Sequence, residues 1–369
     1  MSGAQGSGDN LTPADELSYM LDSSGVNAAR IKMPTDNSVG FREAFNCQKK
    51  KPVCGLCGHI VSFITMFILI AGITGMVGQE LARVALAQGH QVRGLSRNSH
   101  KLDPAIASKI DKFVTCRDYF DTASFAEAVE GVDAVISALP PVASIIGAGQ
   151  LALLLEAEKA GVKVFHAASW NFDWTKLNMG DHETYDAYLS FKRLAELSSA
   201  LKPIYGFVGA ILEYSFINCK RDSRPALINT ATQSLVYFGT GNEQLSFISV
   251  NDLSKFTLAA ISDPLILERG IYYTESFRCT MIELADMYGK ARGTEITTQR
   301  LGGKADLEAM LAGARTMISP LEVNKYIDLA YGVAMLRGVG LADPSDCERW
   351  AGIVTPTGFS QWLQENPDA

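Results

Sequence analysis

The stretch that decides the fold is residues 66–97, MFILIAGITGMVGQELARVALAQGHQVRGLSR. It opens inside the apolar run Ile60–Ile73. A strand buried on both faces of a parallel sheet reads this way, whereas a half-exposed strand alternates. The run passes into Gly72-Ile-Thr-Gly75-Met-Val-Gly78 and then into QELARVALAQGH, where Leu81, Val84 and Ala85 recur at helical spacing. Gly89 is placed to end that helix, and Gln91–Leu95 reads as the next strand. Strand, glycine turn, helix and strand form the first half of a dinucleotide-binding fold. The expected fold class is therefore α/β, a doubly wound parallel sheet of the Rossmann kind.

Each glycine has a physical task. Gly72 permits a tight turn, Gly75 lets backbone amides approach a pyrophosphate, and Gly78 lets the helix pack closely on the strand. Thr74, Met76 and Val77 complete the cradle, and the helix N-terminus adds a partial positive charge. The spacing is GxxGxxG, and a purely structural tight turn is the alternative. Selectivity is read at the end of the second strand, where an NAD enzyme places Asp or Glu. Here Arg97 stands nineteen positions after Gly78, and no acidic residue follows until Asp103. A guanidinium matches a 2′-phosphate bidentately, so the expected cofactor is NADPH/NADP+. An exposed surface arginine is the alternative.

The α/β order continues. Lys112–Thr115 reads as a third strand, Ser124–Glu130 as a helix, Val132–Leu139 as a fourth strand and Leu151–Ala160 as a helix. Val162–Ser169 is the fifth strand. Ligands of open parallel sheets gather at the C-terminal strand ends, which puts Ser137, Ala138, Leu139 and Ser169 among the cofactor-binding candidates.

The segments AGITGMVGQ, VRGLSR, EGVDAVISAL and ASWNFDWTKLNMGDHETYDAYLSFK together resemble the NmrA-like and isoflavone-reductase-like group of atypical short-chain dehydrogenases, in particular its fungal members. The resemblance runs from about Met66 to the C-terminus and includes FGTGNEQLSFISVNDLSKFTLAAISDP. It implies an NADP(H)-binding Rossmann domain with a smaller C-terminal substrate lobe, and a lysine assisting reduction that falls on Lys192. Some members of that group reduce small aromatic or polyketide-like substrates, and others bind the dinucleotide as sensors.

The helix expected at Thr184–Leu197 can be read on its own terms. Tyr185, Tyr188 and Lys192 share one stripe, while Ala187, Phe191, Leu194 and Ser198 share another that suits the core. Tyr188-x-x-x-Lys192 has the spacing of conventional short-chain dehydrogenases, in which the lysine holds the nicotinamide ribose and lowers the pKa of a proton-donating tyrosine. Lys192 and Tyr188 are the catalytic candidates; an exposed lysine beside two packing tyrosines is the alternative. Many isoflavone-reductase-type members lack that tyrosine. Between the fifth strand and this helix, Trp170, Asn171, Phe172 and Trp174 are expected to wall a substrate pocket. Asn171 and Asp173 are candidates to orient a polar group, and His182 to shuttle a proton. Loop aromatics that only pack, and a solvated loop histidine, are the alternatives.

From Tyr205 the chain enters a lobe with strands at Leu235–Tyr237 and Leu245–Ile248 and a helix capped by Ser249 or Asn251. Further helices are expected at Met281–Ala291, Ala305–Met317 and Leu321–Leu336, and Phe207, Phe216, Met317 and Tyr326 are within reach of a substrate. The expected division is a disordered extension over 1–58, a cofactor domain over 59–205 and a substrate lobe over 206–369. The extension is rich in Gly, Ser, Asn and Asp and holds Cys47, Cys54 and Cys57 near His59. With no second CxxC these do not read as a zinc site, so no metal is expected. Ile60–Ile73 is shorter than the roughly 20 residues a membrane helix needs.

Composition agrees. The chain is 47% hydrophobic and 20% charged, which is too apolar for a disordered protein and too charged for a polytopic membrane protein. A net charge of −7 argues against a nucleic-acid partner. Seven cysteines imply no disulfide framework, and the expected location is cytoplasmic. The expected partner is a small, largely apolar carbonyl or conjugated substrate reduced by NADPH, in secondary metabolism. A redox sensor without turnover and a non-redox cyclase or isomerase are the alternatives.

Overall fold

The computed structural model describes residues 65–218 and 227–369. The expectations placed on 1–58, with Cys47, Cys54, Cys57 and His59, lie outside the described residues.

The chain begins with β1 (Phe67–Ala71), the glycine turn and α1 (Met76–Ala87). Helix α1 stops where expected: Gly89 takes φ +85°, and the His90 amide reaches back to the Ala85 carbonyl. Then follow β2 (Gln91–Ser96), β3 (Lys112–Thr115), α2 (Thr122–Val129), β4 (Ala134–Ser137), α3 (Gln150–Lys159) and β5 (Val164–His166). Helix α4 (Glu183–Ser198) and β6 (Pro203–Phe207) come next. With β10 (Ile271–Tyr273) at one edge, the order across the main sheet is β10-β6-β5-β4-β1-β2-β3, with every pairing parallel. The chain reverses direction across the sheet between β1 and β4, which is the switch point at which such sheets bind ligands.

Strand β1 shows why its sequence is uniformly apolar. Leu69 and Ala71 belong to the core under α2, α3 and α4, while Ile68 and Ile70 belong to the core under α1 and α5 (Val250–Ala260). All four are fully buried. Each such Leu or Ile contributes about 1.5–3 kcal/mol by leaving water.

Beyond β6 the chain builds β7 (Ala210–Ile211), β8 (Ser234–Phe238) and β9 (Gln244–Ile248) before α5, whose N-cap is Ser249. Strand β10 (Ile271–Tyr273) then rejoins the main sheet beside β6. The remainder is β11 (Phe277–Thr280), α6 (Met281–Arg292), β12 (Thr297–Gly302), α7 (Lys304–Met317), α8 (Ile327–Leu336) and α9 (Phe359–Glu365). The helix expected over Leu321–Leu336 is broken: Pro320–Lys325 is a 3-10 turn, and α8 starts only at Ile327. Ala167, Phe191, Leu284 and Trp362 share one hydrophobic cluster, so the core runs without interruption past residue 205. Among the described residues no helix is long and apolar enough to cross a membrane.

Candidate functional site

The glycine turn sits at the switch point and is sterically determined. Gly72 has φ +87°, and a Cβ there would lie 2.3 Å from the Ala138 carbonyl oxygen. A Cβ on Gly78 would lie 2.3 Å from the Gly72 carbonyl oxygen. Neither position accepts a side chain without moving backbone. Gly75 is the N-cap of α1 and makes no side-chain cap, and no acidic residue sits in the first turn. Any anion at this helix end meets the dipole without competition from a carboxylate. The Thr74 hydroxyl pairs with that of Ser96 at 2.7 Å, tying the turn to the end of β2. Met76 and Val77 form the first turn of α1.

At the end of β2, Arg97 is exposed and its guanidinium lies over the Tyr119 ring, 4.6 Å from the centroid. Asp103, the first acid after it, accepts the Ala105 amide at 2.8 Å as a helix cap. At the end of β4, Ser137 is fully buried with a hydroxyl that has no protein partner. Ala138 and Leu139 follow directly, with the Ala138 amide on the Ala71 carbonyl. Ser169 behaves differently from expectation. Its hydroxyl donates to the Ala167 carbonyl at 3.1 Å and accepts the Gly206 amide at 2.9 Å, so it stitches β5 to β6 rather than facing a ligand.

The segment after β5 corrects the sequence reading most. Trp170, Asn171, Phe172 and Trp174 do not form one wall. Trp170 turns toward α5, stacks on His166 at 4.9 Å and donates its N–H to the Thr257 hydroxyl at 2.9 Å. Phe172 and Trp174 go to the opposite core, where Trp174 is fully buried among Tyr188, Tyr205 and Phe207. Asn171 accepts the Tyr185 hydroxyl at 2.6 Å. Asp173 accepts the Tyr273 hydroxyl at 3.0 Å and the Thr175 hydroxyl, a structural assignment.

On α4 the buried face is Tyr185, Tyr188, Phe191 and Ala195. Leu194, expected in the core, is 41% exposed. The two tyrosines point inward because their rings fill the space against Trp174 and Tyr331. Burial pushes the Tyr188 phenol well above its ordinary value, contrary to the expected lowering by a lysine. Lys192 is half-buried, and its ammonium pairs with Glu196 one turn on. Tyr188 and Lys192 therefore share a stripe but face different surroundings.

The His182 ring is buried rather than in a solvated loop. It is 1% exposed at the N-cap of α4, and neither ring nitrogen has a protein partner. Its ring lies 4.2 Å from Tyr185 and 4.5 Å from Tyr331. Burial pushes its pKa down to about 4, so the ring is neutral near pH 7. Of the lobe candidates, Phe207, Phe216 and Tyr326 are core residues, and Met317 is 82% exposed.

A model of the NmrA-like family matches residues 65–330. The chain belongs to the NmrA-like family. A probable pinoresinol-lariciresinol reductase of Arabidopsis thaliana is 30% identical over 227 residues, covering 60% of this chain and 72% of that protein. Among solved structures, the fold is similar to those of pinoresinol-lariciresinol and phenylcoumaran benzylic ether reductases (TM-score 0.67, 17% identity, 82% of this chain and 99% of that one). It is also similar to a leucoanthocyanidin reductase from Vitis vinifera in complex with NADPH (TM-score 0.59, 20% identity, 74% of this chain and 88% of that one).

Within this NmrA-like chain, three arrangements gave no sequence signal. His166, in the middle of β5, is fully buried and bonds the Tyr272 hydroxyl at 2.9 Å, and Tyr272 also meets Thr257 at 3.0 Å. This network fixes Trp170 from beneath. Tyr119 backs Arg97 from a loop whose residues show no periodicity. Glu213 borders a polar cavity of about 340 Å³ on the flank of α1, with Gln79, Glu80, Arg83, Asn251 and Asn366. Desolvation raises the Glu213 pKa, although its carboxylate accepts Trp362 Nε1 and the Val250 amide. Met76 of the expected cradle also lines that cavity, whereas Ser137, Ala138, Leu139 and Ser169 do not.

Proposed function

We propose that this chain is an NADPH-dependent reductase of a small, largely apolar carbonyl or conjugated substrate. The observation that carries the reading is the cradle of Gly72 and Gly78, where a Cβ would meet backbone oxygen at 2.3 Å. A dinucleotide fits the residues present. The turn admits no Cβ at Gly72 or Gly78, so its backbone stays bare at the N-terminus of α1, and the buried Ser137 hydroxyl at the next strand end lacks a protein partner. Arg97 meets no carboxylate among the described residues, and Asp103 is occupied as a cap, which suits a 2′-phosphate better than a free ribose hydroxyl.

Bound NADPH supplies a hydride from its nicotinamide. The chain's own residues bind and orient: the turn and the α1 amides take the pyrophosphate, Arg97 the 2′-phosphate, and Lys192 the ribose or the acceptor oxygen. For this Lys192 leaves Glu196, a half-exposed pair worth little in water. The burial of Tyr188 favours a water held by Lys192 as the proton source. The similar proteins, reductases of pinoresinol and lariciresinol among them, support an aromatic substrate and a setting in secondary metabolism. The reading takes a small molecule as the partner and the cytoplasm as the location; among the described residues no helix is long and apolar enough to cross a membrane.

One observation favours a second reading, a dinucleotide sensor without turnover: Tyr188 is buried and Lys192 is engaged with Glu196, so the pair is not assembled for catalysis. Single-turnover oxidation of bound NADPH by a panel of aryl ketones, enones and quinones separates the two. The reductase reading expects at least one acceptor to oxidise NADPH, with a rate that Lys192→Ala lowers about 10²-fold or more. Tight NADPH binding with no oxidation across the panel overturns it in favour of the sensor.

A further inference from the structure

Two arginines leave neighbouring strand ends at the adenosine side of the crevice, and they are held in opposite ways. Strands β2 and β3 pair with Ser96 opposite Thr115, so Arg97 follows the end of β2 by one residue and Arg117 the end of β3 by two. Arg117 is neutralised. Its Nε and Nη2 donate to the two oxygens of Asp121, at 3.0 and 3.3 Å. Arg97 has no carboxylate partner among the described residues and rests instead on an aromatic ring. A cation–π contact holds the face of a guanidinium and leaves its N–H edge free for an anion, whereas a bidentate carboxylate consumes the edge.

The ring itself cannot swing away. Tyr119 is 8% exposed, belongs to the main hydrophobic cluster, and follows the end of β3 by four residues. A Cβ at Gly149 would lie 2.5 Å from the Tyr119 carbonyl oxygen, so the backbone at Tyr119 is pressed against the turn that leads into α3. A free arginine at a strand end samples many rotamers, and binding a phosphate must order it. Here the ordering is already done.

Resting on the NADPH reading above, we propose that Tyr119 is the positioning residue that sets NADPH-over-NADH selectivity, by holding the Arg97 guanidinium so that its edge meets the 2′-phosphate. The test is titration of NADPH and NADH, by nicotinamide fluorescence, into wild type, Tyr119→Leu and Tyr119→Phe. Leucine keeps apolar volume and removes the ring face; phenylalanine keeps the face. The proposal expects Tyr119→Leu to weaken NADPH about tenfold, to leave NADH unchanged, and Tyr119→Phe to restore most of the preference. NADH serves as the internal control for folding. An equal loss for both nucleotides assigns Tyr119 to packing alone and overturns the proposal, as does a Tyr119→Leu variant with unchanged preference. Wild-type protein that binds NADPH no tighter than NADH overturns the underlying cofactor reading instead, a result visible before any variant is made.

Discussion

The end of β1 and the end of β5 lie in one sheet, yet only the first does what its residues suggest. At β1, Gly72 and Gly78 are fixed by backbone atoms: Gly78 by the Gly72 carbonyl within the turn, and Gly72 by its positive φ and the Ala138 carbonyl just past β4. At β5, the fate of Trp170 and Trp174 is set by residues far away in the chain, Thr257 and Tyr272 for one, Tyr205 and Phe207 for the other. A backbone constraint admits only glycine and so writes a recognisable sequence. A packing constraint writes only "aromatic" and leaves the direction open.

The sharpest way to break this comparison is at the glycines. Gly72→Ala meets both a positive φ and a backbone oxygen at 2.3 Å, whereas Gly89→Ala meets the same φ in open space. Urea denaturation should show Gly72→Ala destabilised by roughly 3–5 kcal/mol with NADPH binding lost. Gly89→Ala should lose only about 1–2 kcal/mol and keep binding. Equal behaviour of the two would mean that the turn is not a close-approach site.

Trp174→Ala tests the other side. As a fully buried core residue it should lower stability by about 3–5 kcal/mol in the same assay. The affinity of the folded protein for NADPH should stay unchanged. A stable Trp174→Ala variant with altered substrate preference would restore Trp174 to a pocket wall.

Two buried histidines give a pH signature. Burial holds His182 down to about 4 and His166 to about 3, against about 6.5 when unfolded. The unfolded chain therefore binds protons first on acidification. Stability that is intact above pH 6.5 should fall as pH drops toward 4, by up to about 1.4 kcal/mol per pH unit for each histidine. His182→Phe should flatten that slope and, because it removes two unpaired nitrogens, be near-neutral at pH 7. An unchanged slope would place His182 in contact with water.

The smallest effect belongs to the Lys192–Glu196 pair. Glu196→Gln should change stability by less than about 1 kcal/mol, since both side chains are more than a third exposed. A larger loss would make the pair structural rather than a resting state of Lys192.

These contrasts explain what was legible. Strands β1, β4 and β5 could be read because a sheet buried on both faces demands unbroken apolar runs such as Phe67–Ala71, and helix α1 because it follows the glycine turn at helical spacing. Helix α4 was legible to within a residue at each end, Thr184–Leu197 against Glu183–Ser198. Its inward face was not, because ranking by hydrophobicity sends Leu194 inside, while the cavity beside Trp174 is shaped for Tyr185 and Tyr188. His182 looked like a loop residue because Asp and Glu flank it; Tyr185 on α4 and Tyr331, from a helix more than a hundred residues on, cover it. Ser169 sat at its strand end as read, but its hydroxyl donates to the Ala167 carbonyl of its own segment and accepts the Gly206 amide of β6.

The central claim is that the β1–β2 edge is built for NADPH. Equilibrium titration of wild type and Arg97→Ala with NADPH and with NADH tests it most directly. NADPH should bind wild type at least about tenfold more tightly than NADH, and Arg97→Ala should erase that difference by weakening NADPH alone. Equal or tighter binding of NADH to wild type, or a preference unaffected by Arg97→Ala, would contradict it.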